Sequence, residues 1–195
     1  MDLNQRIGQR VKQLRDTSGL SLEALAESSG VSRSNISLIE RGQSSPTAVV
    51  LDRLSGALGV TVASLFEPAQ PAAVPSPLLR VHEQPLWQDP ATGYVRRNVS
   101  PVVGAPLQLV DVLFPAGQRI AYDQLARPAP VRQQVWMIDG RMDIRMGDAL
   151  WRLEPGDCLA MTLDHAIVFH NPGPGTARYL VALVTLPAAS RKAGA

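Results

Sequence analysis

Arg33, Ser34, Ser37, Leu38 and Arg41 are spaced so that they gather on one side of a helix, while Ile36 and Ile39, with the Ser32 side, fall on the other. A surface of arginine, two serines and a leucine is matched to a base-pair edge. Arginine pairs two-pronged with guanine, serine donates or accepts, and leucine touches the thymine methyl group. Ser32, at the predicted start of the same helix, and Ser44 and Ser45, in the loop after it, are placed to meet phosphates. The chemistry these residues support is non-covalent recognition of the major groove of double-stranded DNA.

Such a helix has to be held at an angle to its neighbours, and the surrounding sequence supplies the means. A first helix is predicted from Leu3 to Thr17, with Ile7, Val11 and Leu14 as its apolar stripe and Gly19 as its stop. Ser21 is a good N-cap for a second helix, whose Leu22, Leu25 and Ala26 face inward. Gly30 supplies the tight turn, and Ser32 caps the third helix. Ser45-Pro46 reads as the start of a fourth helix, running through Val50, Leu51, Leu54 and Leu58 and ending at Gly59. Thr61–Phe66 is expected to form a short fifth helix.

This pattern resembles the Cro-type helix-turn-helix of the XRE family of transcriptional regulators. The matching segments are Gly19-Leu-Ser-Leu-Glu-Ala-Leu-Ala26, Gly30-Val-Ser-Arg-Ser34, Ile39-Glu-Arg-Gly42, Ser45-Pro-Thr47 and Ala57-Leu-Gly-Val60, in family order and spacing. The resemblance implies that Ser21–Arg41 is the reading unit, so that Ser21 joins Ser32, Arg33, Ser34, Ser37, Leu38, Arg41, Ser44 and Ser45 in the expected DNA-binding set. It also implies an ion pair between Arg15, at the end of the first helix, and Glu40, at the end of the third.

The remainder of the chain has a different grammar. Residues 68–77 contain four prolines, which cannot continue a helix and favour an extended spacer. Beyond them, short apolar or alternating runs are punctuated by Gly, Pro and Asp: Pro106–Phe114, Val135–Ile138, Arg141–Met146, Leu150–Leu153, Cys158–Met161, Ala166–His170 and Ala177–Leu186. Closely spaced strands of this kind indicate an antiparallel sandwich or barrel. The expected organisation is an all-α five-helix domain over residues 1–67, a linker over 68–77, an all-β domain over 78–187 and a frayed tail over 188–195.

Composition sets outer bounds. The net charge is only +2, so placement of the 17 arginines, rather than bulk charge, has to carry any argument for nucleic acid. One cysteine, Cys158, excludes an internal disulfide and a cysteine-based zinc motif, and it reads as a small buried hydrophobe. No apolar run approaches the length needed to span a bilayer, and the N-terminus lacks a signal-peptide layout, so no membrane partner and a cytoplasmic location are expected.

The strand-rich half resembles a cupin, a double-stranded β-helix or jelly-roll barrel. Pro115-Ala-Gly117, Trp136-Met-Ile-Asp-Gly140 with Met142-Asp-Ile-Arg-Met-Gly-Asp148, and Glu154-Pro-Gly-Asp157 through Phe169-His-Asn171 carry the likeness. Catalytic cupins hold a metal with three histidines and a glutamate. Here the corresponding positions are Asp123, Leu125, Gln133 and Ile167, and only the closing Asn171 fits the pattern. An amide and a branched alkyl group cannot replace a carboxylate and an imidazole. No metal, no other cofactor and no catalytic residue are therefore expected. A site built from His165, His170 or His82 with Asp123 is the rival reading, and it would make the chain a metal-dependent enzyme with an appended DNA-binding domain. Tyr122, Gln133, Val135, Met137, Met161 and Ile167 are candidates for the barrel interior or its mouth. An apolar pocket with a few polar tips suits a small organic effector. The other possibility is a sealed barrel that serves only to pair two chains. The expected assembly is a homodimer on an operator, with Trp87, Trp136 and Trp151 in core or subunit contacts.

Overall fold

A computed structural model describes residues 2–69, 76–102, 106–124 and 130–186. Four α-helices lead: α1 (Leu3–Thr17), α2 (Leu22–Ser29), α3 (Arg33–Glu40) and α4 (Ala48–Ala57). Ser21, Ser32 and Thr47 cap the last three through side-chain oxygens that accept from the backbone N–H three residues on. Ile7, Val11, Leu25, Ile36, Ile39, Leu51 and Leu54 from these helices form the core of this unit. α1 crosses α3 at Gly8, where a Cβ would lie 2.2 Å from the Ile39 carbonyl oxygen. Gly8→Ala is therefore expected to destabilise the protein by about 1–3 kcal/mol through overpacking, although alanine is the better helix former by about 1 kcal/mol. A melting temperature equal to or above that of wild type would show that the crossing is looser than this.

Two expectations are corrected here. The fifth helix is not an α-helix but a single 3-10 turn, Ala63–Phe66. Its carbonyls are claimed from outside: Asn98 Nδ2 donates to Ala63 O and Arg10 Nε to Ser64 O. The cap of α4 is Thr47, not Ser45, and Pro46 precedes it. The first N–H of α4, on Ala48, is taken by Asp89 Oδ1 at 2.9 Å, so the β unit helps to fix where this helix begins.

The β unit begins with a short 3-10 turn, Val81–Glu83, and then forms two antiparallel sheets. One has six strands in the order β1 (Leu86–Gln88), β2 (Val95–Asn98), β3 (Leu107–Phe114), β10 (Ala177–Thr185), β5 (Val131–Asp139), β8 (Cys158–Thr162). The other has four: β4 (Arg119–Tyr122), β9 (Ile167–His170), β6 (Met142–Met146), β7 (Ala149–Leu153). All seven predicted runs contribute strands, and β1, β2 and β4 are additional. Alternate residues of β5 are buried, including Val131, Gln133, Val135 and Met137. Cys158 is exposed, contrary to expectation, because β8 is the edge of its sheet and this side chain points outward. Trp87 is in the core, whereas Trp136 and Trp151 are about half exposed.

The helical and β units pack directly on each other. Phe66 meets Trp87 at a centroid distance of 6.0 Å, Trp87 meets Tyr94 at 5.6 Å, and Tyr94 meets Phe114 at 5.6 Å. Arg53 on α4 pairs with Asp123 beyond β4 at 2.6 Å. Residues 70–75 of the proline-rich segment and the tail lie outside the described residues.

Candidate nucleic-acid interface and cavity

The turn between α2 and α3 follows from three local choices. Ser21 Oγ accepts from Ala24 N at 3.1 Å, Gly30 adopts the left-handed conformation with φ 66°, and Ser32 Oγ accepts from Asn35 N at 3.3 Å. Ile36 and Ile39 are buried, which turns Arg33, Ser34 and Leu38 outward into solvent, with Ser37 half-buried beside them. Arg33 is held at one end of this face by Glu23, Nε to Oε1 2.9 Å, across the turn. Its positive charge, after the bond from Glu23's own backbone N–H, holds the Glu23 carboxyl below its usual range. Arg41 folds back at the other end, donating to Ser37 Oγ and to Gln43 Oε1. Ser44 is half-buried and Ser45 exposed in the following loop.

The face is braced from behind. Arg15 grips Glu40 with a two-pronged pair, Nε to Oε1 2.7 Å and Nη2 to Oε2 3.0 Å, and its Nη1 donates to Leu20 O at 2.9 Å. Both side chains are largely buried. The pair implied by the resemblance is thus present. It ties the end of α3 to α1 and to the loop that leads into α2.

A cavity lies between the two sheets, and residues of the helical unit complete its lining. Its solvent-accessible volume is about 80 Å³. Of the six candidate residues for the barrel interior or mouth, Tyr122, Gln133 and Ile167 line it. Val135 and Met137 are fully buried outside the lining. Met161 is also outside it, and its sulfur accepts from Gln133 Nε2 at 3.3 Å. Burial pushes the phenols of Tyr122 and Tyr179 well above their ordinary range, so both stay protonated at neutral pH. Sequence reasoning missed the contributions of Asp52, Thr61 and Val62 from the helical unit, and of Arg96 from β2. Arg96 Nε and Nη2 are buried and have no hydrogen-bond partner among the described residues. Strand alternation from the buried Tyr94 would have placed Arg96 inward.

The side chains at the positions that the resemblance to cupins matched to metal ligands do not fit a metal. Asp123 is engaged by Arg53, Gln133 is a neutral amide bonded to sulfur, and Ile167 offers no lone pair; Leu125 lies outside the described residues. His165 is exposed and paired with Asp164, His170 stands 4.0 Å from Asp143, and His82 is exposed on its 3-10 turn. Among the described residues no group of three or more His, Cys, Asp and Glu is arranged to hold a metal. Asn171 is a turn clamp: its amide donates to Phe114 O and Gly175 O and accepts from Gly173 N. Among the described residues no helix is long and apolar enough to cross a membrane.

The helix-turn-helix family model matches residues 11–65. The chain is 26% identical over 182 residues to the HTH-type transcriptional regulator SutR of Escherichia coli, covering 87% of this chain and 89% of that one. It is 37% identical over 68 residues to an uncharacterized HTH-type transcriptional regulator of Sinorhizobium fredii, y4dJ, covering 35% of this chain and 88% of the relative. In fold it is similar to a crystal structure of an HTH_3 family transcriptional regulator from Vibrio cholerae, with TM-score 0.73, 20% identity, and coverage of 93% of this chain and 96% of that one.

Proposed function

The chain belongs to the XRE-type helix-turn-helix transcriptional regulators, and from that premise we propose how its parts divide the work. The protein binds DNA. The outward face of α3, Arg33, Ser34, Ser37 and Leu38 with Arg41 at its edge, reads operator bases in the major groove. Ser21, Ser32, Ser44 and Ser45 meet the flanking phosphates. The β unit, residues 78–187 in this division, pairs two chains and takes a small-molecule effector into its cavity. The protein is a cytoplasmic regulator and not an enzyme.

One observation carries the sensing role: the cavity is lined by Asp52, Thr61 and Val62 of the helical unit together with barrel residues. A ligand alters DNA binding only if it binds two arrangements of the protein unequally. A molecule that touches both units at their junction can meet that requirement, and a sealed barrel cannot.

Pairing is supported by exposed apolar surface on the barrel. The edge strands β7 and β8 flank a groove lined by Trp151, Ala160 and Gln134, and Trp136 stands opposite Cys158 one step along the same sheet face. Unpaired edges with exposed tryptophans are a template for a second chain. Two helix-turn-helix units so joined would reach half-sites about 34–36 Å apart. Sedimentation equilibrium is expected to give a dimer for wild type and a monomer for the Trp136→Glu/Trp151→Glu variant, with operator affinity lowered at least about tenfold by the loss of half the contacts. A monomeric wild type would overturn the pairing role.

A further inference from the structure

The cavity is lined by an arginine, Arg96, two of whose donors meet no acceptor among the described residues. On β2, Arg96 pairs directly with Trp87 of β1 and with Val112 of β3, and Val112 pairs in turn with Tyr179 of β10. Directly opposed residues share a face of the sheet, so the guanidinium joins the inward row of aromatic side chains. Its Nε and Nη2 are shut off from water and meet no acceptor among the described residues. Arginine cannot escape this cost by losing its proton. The nearby Asp123 is already bonded to Arg53.

The identity of the two orphan donors is informative. Nε and Nη2 form one edge of the guanidinium fork, the edge with which Arg15 holds Glu40 and Arg178 holds Asp111 elsewhere in this protein. That edge matches the two oxygens of a carboxylate. The protonated phenol of Tyr179 adds a neutral donor to the same cavity, that of Tyr122 is hydrogen-bonded with Tyr94, and Ile167 and Phe169 supply apolar wall.

We propose that the effector is a small organic carboxylate with an apolar or aromatic body, its carboxylate held two-pronged by Arg96 Nε and Nη2 and its body lodged among Tyr122, Ile167, Phe169 and Tyr179. This rests on the reading of the cavity as an effector site and specifies what that site recognises. The ligand neutralises Arg96 on the barrel side while Thr61 and Val62 close the cavity from the helical side, so occupancy is registered at the junction of the two units.

The test uses the full chain and a panel of benzoate, phenylacetate and 4-methylpentanoate, each matched with its primary amide, alongside inorganic phosphate and sulfate. At least one carboxylate is expected to raise the melting temperature in proportion to its concentration, with its amide about ten- to hundredfold weaker in calorimetric titration. Arg96→Met is expected to abolish the carboxylate response. Without ligand it should melt roughly 2–10 °C above wild type, because an unpaired buried charge has been replaced by an apolar side chain. An Arg96→Met variant less stable than ligand-free wild type would show that the guanidinium is already satisfied, and would overturn the proposal. So would the absence of any carboxylate response at millimolar concentration, or an equal response to phosphate or sulfate. Amides that shift wild type and Arg96→Met alike would overturn the carboxylate assignment while leaving the cavity as an effector site; a cavity indifferent to every compound would remove both.

Discussion

Arg15→Ala is expected to cost about 3–5 kcal/mol of stability, because it leaves Glu40 buried without its partner. For a chain of this length that is a fall of roughly 6–20 °C in melting temperature, readable by circular dichroism. The pair's geometry supports the size of the effect: two charge-assisted bonds at 2.7 and 3.0 Å, plus a third from the same guanidinium to Leu20 O. The hydrogen bond to Glu40 is also the main cause that raises the Arg15 pKa, against the opposing pull of burial. The double variant Arg15→Met/Glu40→Leu should recover most of the loss, since apolar replacement of a whole buried pair is close to neutral. An unchanged melting temperature in Arg15→Ala would mean that the brace does not form in solution. The loss should reach function too, because Glu40 is the last residue of α3 and the brace sets the angle of the helix that meets DNA.

Arg33→Ala is expected to weaken operator binding by about 1–3 kcal/mol, or roughly five- to 150-fold, if its guanidinium pairs with a base edge as placed. The variant should lose preference at the base pair it reads. A phosphate role would instead lower affinity evenly across sequences and reduce the salt dependence by about one counterion. In the free protein Arg33 is tethered to Glu23, and both side chains are exposed. Glu23→Gln should release the arginine and remove an anion from a surface that approaches phosphates, so it should bind DNA more tightly. Fluorescence anisotropy on a fixed operator at two salt concentrations separates these outcomes. Weaker binding by Glu23→Gln would mean that the tether orients Arg33 for contact.

The parts of this protein set by neighbouring residues were legible in its sequence. Ser21, Gly30 and Ser32 act within three residues of themselves, so the turn and the outward face of α3 could be drawn from spacing alone. What depends on distant partners was not. Asp89 lies 41 residues from the α4 N–H it satisfies, and Asn98 and Arg10 draw the Ala63–Phe66 carbonyls away from an α-helix. The β strands followed their apolar runs, but Cys158 could not be placed without knowing that β8 is an edge. Arg96 was overlooked for a related reason. In Val-Arg-Arg-Asn the valine is the natural inward residue, yet the register with Trp87 and Val112 turns the arginine in. That the positions matched to catalytic cupin ligands hold an amide at Gln133 and an alkyl group at Ile167 was legible as identities, whereas the contribution of α4 and its following turn to the cavity required the packing of the two units.

The central claim is that the outward face of α3 reads DNA sequence. The most direct measurement is the set of duplexes selected from a random pool by wild type and by Arg33→Ala/Ser34→Ala/Ser37→Ala, with folding of both checked by thermal melting. The expected result is a two-fold-related pair of half-sites for wild type, centred about one helical turn apart, and loss of base preference within each half-site for the triple variant while weak, salt-sensitive binding persists. Selection of the same sequences with the same strength by both proteins would contradict the account.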